Sequence, residues 1–525
     1  MSNSALDFRN RAALFDTAGG KTFDVIIIGG GVTGAGIARD AAMRGLSVVL
    51  VEARDFAAGT SSRSSKMIHG GLRYMAQGDL GLVAEAASER KAVERVAPHL
   101  TRLTPFVIPS KNAAVTAKLR AGMWAFEKLG GVPKDRRHEV WSRADLMLRE
   151  PSLAADDLSG AVVYPEYLTD DARLTLANVR SAVAHGACVL SYAPVVSIIT
   201  EGGRASGVVV DDGLTGEKAR TRVLGRLIIN AAGPWVDAVR GLEDPGAAVR
   251  LKLSKGIHLV VPSARLPVQR TIIMPAADRR SVFAVPKGDM TYLGTTDTFY
   301  PDADYWPKIT GQDVDYLLAA AALRFTIDPL SRADIVSAWS GVRPLVAQEG
   351  KSASEISRKD EIWTGPSGVL SIAGGKLTAY RMMAERVVDM AQTALGQKVM
   401  AARTATEPLV GGDVDVAAVT QTLGPSGVRL VGLYGAEASL IADAGGGPAV
   451  EAKHAVLNEG ALTLEDYWVR RSARAWFDRD GGLAALAPAA QAMGALLGWS
   501  VAQTQSQIET CMTLRVDNLA AMETA

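Results

Sequence analysis

Three glycines and one glutamate carry the first chemistry legible in this chain of 525 residues. Gly29, Gly31 and Gly34 stand in G-x-G-x-x-G spacing. In that spacing the first glycine makes a tight turn, the second lets the backbone approach a pyrophosphate, and the third packs a helix closely on a strand. Glu52 follows 18 residues after Gly34, where an acidic side chain accepts a hydrogen bond from a ribose hydroxyl. The chemistry implied is dinucleotide binding. The motif alone does not separate NAD from FAD. Glu52 opposes NADP, because its charge would repel a 2′-phosphate.

These residues need particular elements around them, and the sequence supplies them. Residues 23–28 are apolar except for Asp24 and rich in β-branched side chains, as in a strand buried on both faces of a parallel sheet. Residues 34–44 read as a helix whose N-terminal N–H groups face the phosphates. Residues 47–51 return as a second strand ending at Glu52. A glycine-rich loop in some other α/β unit is the bland alternative, and it would not require this strand, helix and acid in order.

Two later segments repeat the theme of a strand ending in small residues. Residues 227–230 form an apolar strand that runs into Ala231, Ala232, Gly233 and Pro234, where a cofactor could lie against the backbone. Residues 369–373 meet Gly374, Gly375 and Lys376, with a helix expected from about 377 to 395. A helix start at this turn would stabilise negative charge on a group bound there. Residues 271–298 read as antiparallel strands. His258 lies in an apolar strand, where a lone histidine is usually structural. Arg343, between Gly341 and Pro344, is expected in a turn.

Residues 60–74 read TSSRSSKMIHGGLRY, too polar and too rich in Ser and Gly for the next core helix of a plain nicotinamide domain. This run resembles the T-S-S-x-S-S-K-x-I-H-G-G-L-R-Y motif of the FAD-dependent, aerobic respiratory glycerol-3-phosphate dehydrogenases. The resemblance extends over nearly the whole chain, through residues 227–237, 252–262, 292–298, 339–345 and 369–381. It implies an α/β fold of two interleaved domains, a Rossmann-like FAD domain and an antiparallel β substrate domain, followed by a helical C-terminal domain. The expected boundaries are an N-terminal extension at 1–22, FAD-binding segments at about 23–100, 160–250 and 345–400, substrate-binding segments at about 101–159 and 251–344, and the helical domain at 401–525.

The resemblance also implies roles. FAD would be held by Gly29, Gly31, Gly34, Glu52, Thr60, Ser61, Ser65, Lys66, His69, Gly71, Ala232, Gly233, Gly375 and Thr378. Arg73, Arg343 and Lys376 would hold glycerol 3-phosphate; three cations suit a phosphate dianion better than a monocarboxylate. His258 becomes a candidate base, since an imidazole can accept a hydroxyl proton at neutral pH. Tyr74 or Arg343 would orient the substrate oxygen. The product is dihydroxyacetone phosphate, and a quinone receives the electrons. Three rival readings stand beside this one: an oxidase that uses oxygen, a non-catalytic FAD-binding module, and an amino-acid oxidase of the same broad fold.

Composition sets further bounds. A net charge of +1 gives no reason to propose nucleic acid as a partner. Two cysteines, Cys188 and Cys511, rule out a disulfide scaffold and a cluster with four cysteine ligands. They suit a reduced, cytoplasmic-side protein. No D-x-D-x-D-G loop suggests a metal. Residues 1–22 lack an apolar signal core, and no apolar run is long enough to span a bilayer. Residues 112–131 mingle Trp124, Phe126 and Leu129 with Lys118, Arg120 and Lys128, the makings of an interfacial helix; an amphipathic helix packed on the protein body has the same composition. The family resemblance favours peripheral attachment to the inner face of the cell membrane and leaves open a homodimeric assembly. Residues 463–477 read as one helix with acids early and arginines late, and no chemistry is evident in them.

Overall fold

The computed structural model describes residues 4–69, 80–154, 156–214, 220–348 and 359–523. Two sheets dominate it. The first has eight strands and is built around Thr22–Ile28. That strand pairs in parallel with Arg220–Asn230 on one side and Val48–Val51 on the other. Leu370–Ala373 and Cys188–Leu190 extend the parallel set outward. Ile26 and Ile27 are fully buried, so the strand is apolar without alternation because both its faces are covered.

Helices Val32–Met43, Asp171–Ala184 and Tyr380–Ala394 cover one face, meeting the strands through Ala35, Ile37, Ala38, Val179 and Val387. Helix Arg11–Gly19 and the hairpin Val195–Glu201/Arg204–Asp211 cover the other, through Phe15, Ala18, Val208 and Val210.

The second sheet has ten strands. Leu251–Pro262 is its long central strand, paired antiparallel with Ser337–Val346 and Met290–Gly294. Residues 160–169 were grouped above with the FAD-binding segments. Strand Gly160–Thr169 instead pairs along its full length with Thr101–Ser110, and Met67–Ile68 adds to its far side, so both segments belong to the second sheet. The ten-residue antiparallel ladder outweighs the chain position of these strands.

Two local expectations are corrected. Arg343 is not in a turn: it sits inside strand Ser337–Val346, opposite Ser254. Pro344 is tolerated there opposite Leu253. Residues 463–477 are not one α-helix. Asp466–Arg471 forms a π-helical turn, Ala473 takes a left-handed conformation at φ 54°, and a short helix follows at Arg474–Phe477. Trp468, Arg470 and Arg471 are all buried in this turn. Helices Gly447–Glu459, Leu483–Leu497 and Val501–Glu523 complete the C-terminal region, whose core of Val456, Trp468, Leu486 and Met493 is continuous with Tyr292 and Trp339 of the second sheet.

Candidate active site

A cavity of about 1290 Å³ runs between the two sheets. Its walls bring together segments far apart in sequence: Gly29 and Gly31, Glu52, residues 58–61, Ala232 and Gly233, Arg343, and residues 372–378.

The first turn behaves as its sequence requires. Gly29 has φ 109°, a conformation that glycine adopts without strain. A Cβ on Gly34 would overlap the carbonyl oxygen of Gly29, so Gly34 serves helix packing and does not line the cavity. Glu52 is buried, and its carboxylate accepts from the Gly30 N–H at 2.6 Å and the Arg54 N–H at 2.8 Å. Burial pushes its pKa up while these two amides oppose the shift. Ser61 Oγ accepts from the Val32 N–H at 2.9 Å, at the start of the helix. Thr60 Oγ donates to the Val342 carbonyl at 2.5 Å and ties this loop to the second sheet.

The third glycine segment closes the cavity from the opposite side. Gly374 and Gly375 take φ 81° and 74°, and Lys376 lines the cavity beyond them. Thr378 Oγ accepts from the His69 N–H at 3.2 Å. Lys66 is set apart from the others: it is buried and paired with Asp171 at 2.6 Å, outside the cavity lining. Gly71, Arg73 and Tyr74 lie outside the described residues.

Arg343 faces the cavity with its guanidinium held in place. It donates to Thr295 Oγ at 2.9 Å and to the Thr296 carbonyl and Asp297 Oδ1, each at 3.3 Å. Ser254 Oγ donates to the same carboxylate oxygen of Asp297. Arg343 lies over Gly256, where any Cβ would overlap it. His258 is placed differently from a base in open contact with substrate. It is 1% exposed, is absent from the cavity wall, and stacks on Trp339 with ring centroids 4.6 Å apart. Its Nε2 is 2.9 Å from Ser65 Oγ, and Ser65 does line the cavity.

The FAD dependent oxidoreductase family matches residues 24–381, and the C-terminal domain of alpha-glycerophosphate oxidase matches residues 402–504. The aerobic glycerol-3-phosphate dehydrogenase of Bacillus subtilis is 43% identical over 402 residues, covering 75% of this chain and 72% of its own. That of Staphylococcus haemolyticus is 41% identical over 418 residues, covering 78% and 75%. The glycerol-3-phosphate dehydrogenase of Bacillus halodurans, solved with FAD, superposes with a TM-score of 0.82 at 32% identity over 99% of both chains.

The chain belongs to the aerobic glycerol-3-phosphate dehydrogenase family. It therefore has the family's FAD-dependent oxidoreductase fold, two domains with a helical C-terminal domain, and FAD is its cofactor. The cavity fits that cofactor. Gly31 and Thr33 line the cavity at the start of helix Val32–Met43, whose N-terminus suits a pyrophosphate, Glu52 offers an acceptor for a ribose, and the volume exceeds the roughly 300–1,000 Å³ of ordinary small-ligand pockets.

Sequence reasoning in this family missed several wall residues. Trp235 and Tyr305 stack at 4.1 Å beside Glu52, with the Arg54 guanidinium 4.3 Å over the Tyr305 ring. Thr295 and Asp297 grip Arg343. Trp235, Thr295 and Asp297 lie in the motifs at 227–237 and 292–298 and Tyr305 lies outside both; which neighbour each side chain meets depends on the sheet pairing.

Proposed function

We propose that the chain oxidises sn-glycerol 3-phosphate to dihydroxyacetone phosphate. The observation that carries this reading is that Arg343 and Lys376 share a cavity wall with the Gly29–Gly31 turn, so an anion can be held beside a bound dinucleotide. Arg73 is proposed as the third cation and Tyr74 as an orienting hydroxyl. Each charged hydrogen bond contributes about 1.5–3 kcal/mol, so loss of one arginine should weaken substrate binding about ten- to a hundredfold. When bound, FAD would accept the C2 hydrogen with its electron pair, and the hydroxyl proton would pass to solvent, which balances the oxidation of the alcohol to the ketone. The bound FAD supplies the two-electron acceptor. The protein's part is to fix the phosphate, aim C2 and polarise its oxygen. The names of the relatives and the match of the C-terminal region support the substrate.

The same reading assigns FAD binding to the segments around the first sheet, substrate binding to the second sheet, and a supporting role to residues 401–525. A quinone is the proposed electron acceptor. In its support, one end of the cavity is apolar, walled by Phe106, Ile108, Leu119, Tyr164, Ile273 and Phe283. Leu119 comes from helix Ala113–Gly130. On that helix Trp124 is 60% exposed and stands one turn from Arg120 and one turn from Lys128, also exposed. This arrangement suits a peripheral contact with an anionic membrane face. Among the described residues no helix is long and apolar enough to cross a membrane.

Anaerobic stopped-flow mixing of the purified flavoprotein with glycerol 3-phosphate tests the activity. Rapid bleaching of the flavin band is expected. Absence of bleaching with this substrate, together with bleaching by an amino acid or hydroxy acid, would overturn the reading. Reoxidation by menadione in preference to oxygen would support the quinone; peroxide formed in step with turnover would identify an oxidase.

A further inference from the structure

The contact between His258 and Ser65 divides the work of that pair in a way the sequence does not reveal. His258 lies on strand Leu251–Pro262 and, among the described residues, reaches the cavity through Ser65. Its ring is enclosed by Trp339 on one face and by Tyr292 at its edge, with ring centroids 6.1 Å apart for the latter pair. A Cβ on Gly294 would overlap the ring, so the imidazole packs directly against the Gly294 backbone.

Ser65 is clamped as firmly. Tyr292 Oη donates to the Ser65 carbonyl at 3.1 Å, and Trp339 Nε1 donates to the Ser64 carbonyl at 3.1 Å. On either side Ser64 Oγ and Lys66 Nζ both donate to Asp171, each at 2.6 Å. The Ser65 hydroxyl is thus presented at a fixed point of the wall. It lies at the end where Arg343 is held, because Thr295, which Arg343 grips, directly follows Gly294.

The two ring nitrogens of His258 decide the direction of the hydrogen bond. Nδ1 is buried and has no partner among the described residues. If Nδ1 carried the proton, a buried N–H would be left unsatisfied, at a cost of roughly 1–3 kcal/mol. With the proton on Nε2 that donor is satisfied by Ser65 Oγ, and Ser65 is free to turn its own hydrogen into the cavity. Arg343 and Lys66, the latter paired with Asp171, both act electrostatically on the ring. Burial, with these two cations adding to it, holds the imidazole well below its usual pKa and therefore neutral.

We propose that Ser65 is the residue of this pair that touches the substrate, donating a hydrogen bond to the C2 oxygen, and that His258 is a positioning residue that fixes the Ser65 hydroxyl through Nε2–H. This rests on the glycerol 3-phosphate reading for its substrate. It replaces the role of His258 as a base in direct contact with that substrate. A donor aimed at the C2 oxygen stabilises the negative charge that develops there as the hydroxyl proton passes to solvent water.

Two measurements on the holoenzyme test this. The first is independent of substrate: long-range proton–nitrogen NMR of protein labelled at its six histidines, with His258→Gln to assign the resonance. The expected result is a neutral Nε2–H tautomer that does not titrate between about pH 5 and 9. An Nδ1–H tautomer, or protonation within that range, would overturn the proposal even if glycerol 3-phosphate proves not to be the substrate.

The second is the rate of anaerobic flavin reduction in variants whose FAD content and visible spectrum match the wild type. Ser65→Ala should slow reduction tenfold or more. His258→Ala should slow it similarly, and the double variant should be no slower than Ser65→Ala. His258→Gln, which keeps an N–H donor but has no basic nitrogen, should stay within threefold of wild type. Full activity in Ser65→Ala, or His258→Gln as slow as His258→Ala, would refute the division of roles. Failure of the wild type itself to be reduced would refute the substrate and leave the NMR result to decide on the pair.

Discussion

Asp55 and Arg471, separated by most of the chain, form a buried ion pair in which Arg471 Nη2 donates to Asp55 Oδ1 at 2.8 Å. Arg470 Nε donates to the other oxygen of the same carboxylate at 2.5 Å. Asp55 follows Glu52 by three residues, and both arginines lie on the π-helical turn of the C-terminal region. The C-terminal region is therefore fastened to the loop that follows Glu52. Asp55→Ala would leave two buried guanidiniums short of a partner, a change that typically costs about 3–5 kcal/mol. The expected outcome is an earlier thermal transition and a lower flavin content in purified protein, measured by scanning calorimetry and absorbance.

Gly256 is predicted to be as necessary as the arginine above it. Gly256→Ala places a methyl group where the Arg343 guanidinium lies and displaces it from Thr295 and Asp297. The KM for glycerol 3-phosphate should rise about ten- to a hundredfold, in line with loss of one charged hydrogen-bonding partner. FAD affinity should change little. Steady-state kinetics with a parallel apoprotein titration by FAD would separate the two effects.

Stability should fall as pH rises from neutral toward 9, because of His454. Its Nε2 lies 3.4 Å from Glu437 and 3.6 Å from Glu459, and Tyr434 meets its ring edge-on. Arg180 pairs with Glu437 at 2.7 Å and Arg173 with Glu459 at 2.6 Å. Burial opposes protonation of His454, but the two carboxylates outweigh it and raise its pKa to about 9. Since the folded value exceeds the unfolded value of about 6.5, the contribution is complete below pH 6.5 and is lost as pH passes through 9. Its size is on the order of 2–3 kcal/mol. His454→Gln should flatten the pH dependence of the denaturation midpoint across that interval.

Trp124 provides a test of membrane contact. Trp124→Ser removes the exposed ring while sparing the buried Phe126 and Met123 that seat the helix. Cosedimentation with vesicles containing anionic lipid should drop severalfold, and more so in combination with Lys128→Glu. Activity with a soluble quinone analogue should be retained. Unchanged vesicle binding would assign this helix to packing alone.

The glycine turns of the candidate cofactor site were legible because they depend on short-range geometry. A strand, a turn that needs glycine, and a helix start must follow one another in the chain, so Gly29, Gly31 and Glu52 announce themselves by spacing. The same holds for Gly374, Gly375 and Lys376, where positive φ angles demand glycine next to the cavity wall. Periodicity likewise disclosed the buried parallel strands, since cover on both faces leaves no polar alternation.

Relations between distant segments were decided by the tertiary structure. The setting of Arg343 in a strand follows from its ladder with residues 251–260, which outweighs the turn tendency of its glycine and proline neighbours. The seating of His258 behind Ser65 depends on Trp339 from strand Ser337–Val346 and on Tyr292 and Gly294 from strand Met290–Gly294, the two neighbours of its own strand. The arginines at 470 and 471 resembled dipole partners at the end of a helix. They became buried ion-pair donors because the fold brings Asp55 against them. Spacing along the chain sets which residues share a turn, whereas burial and strand register set which charges meet, and those are properties of the whole packed molecule.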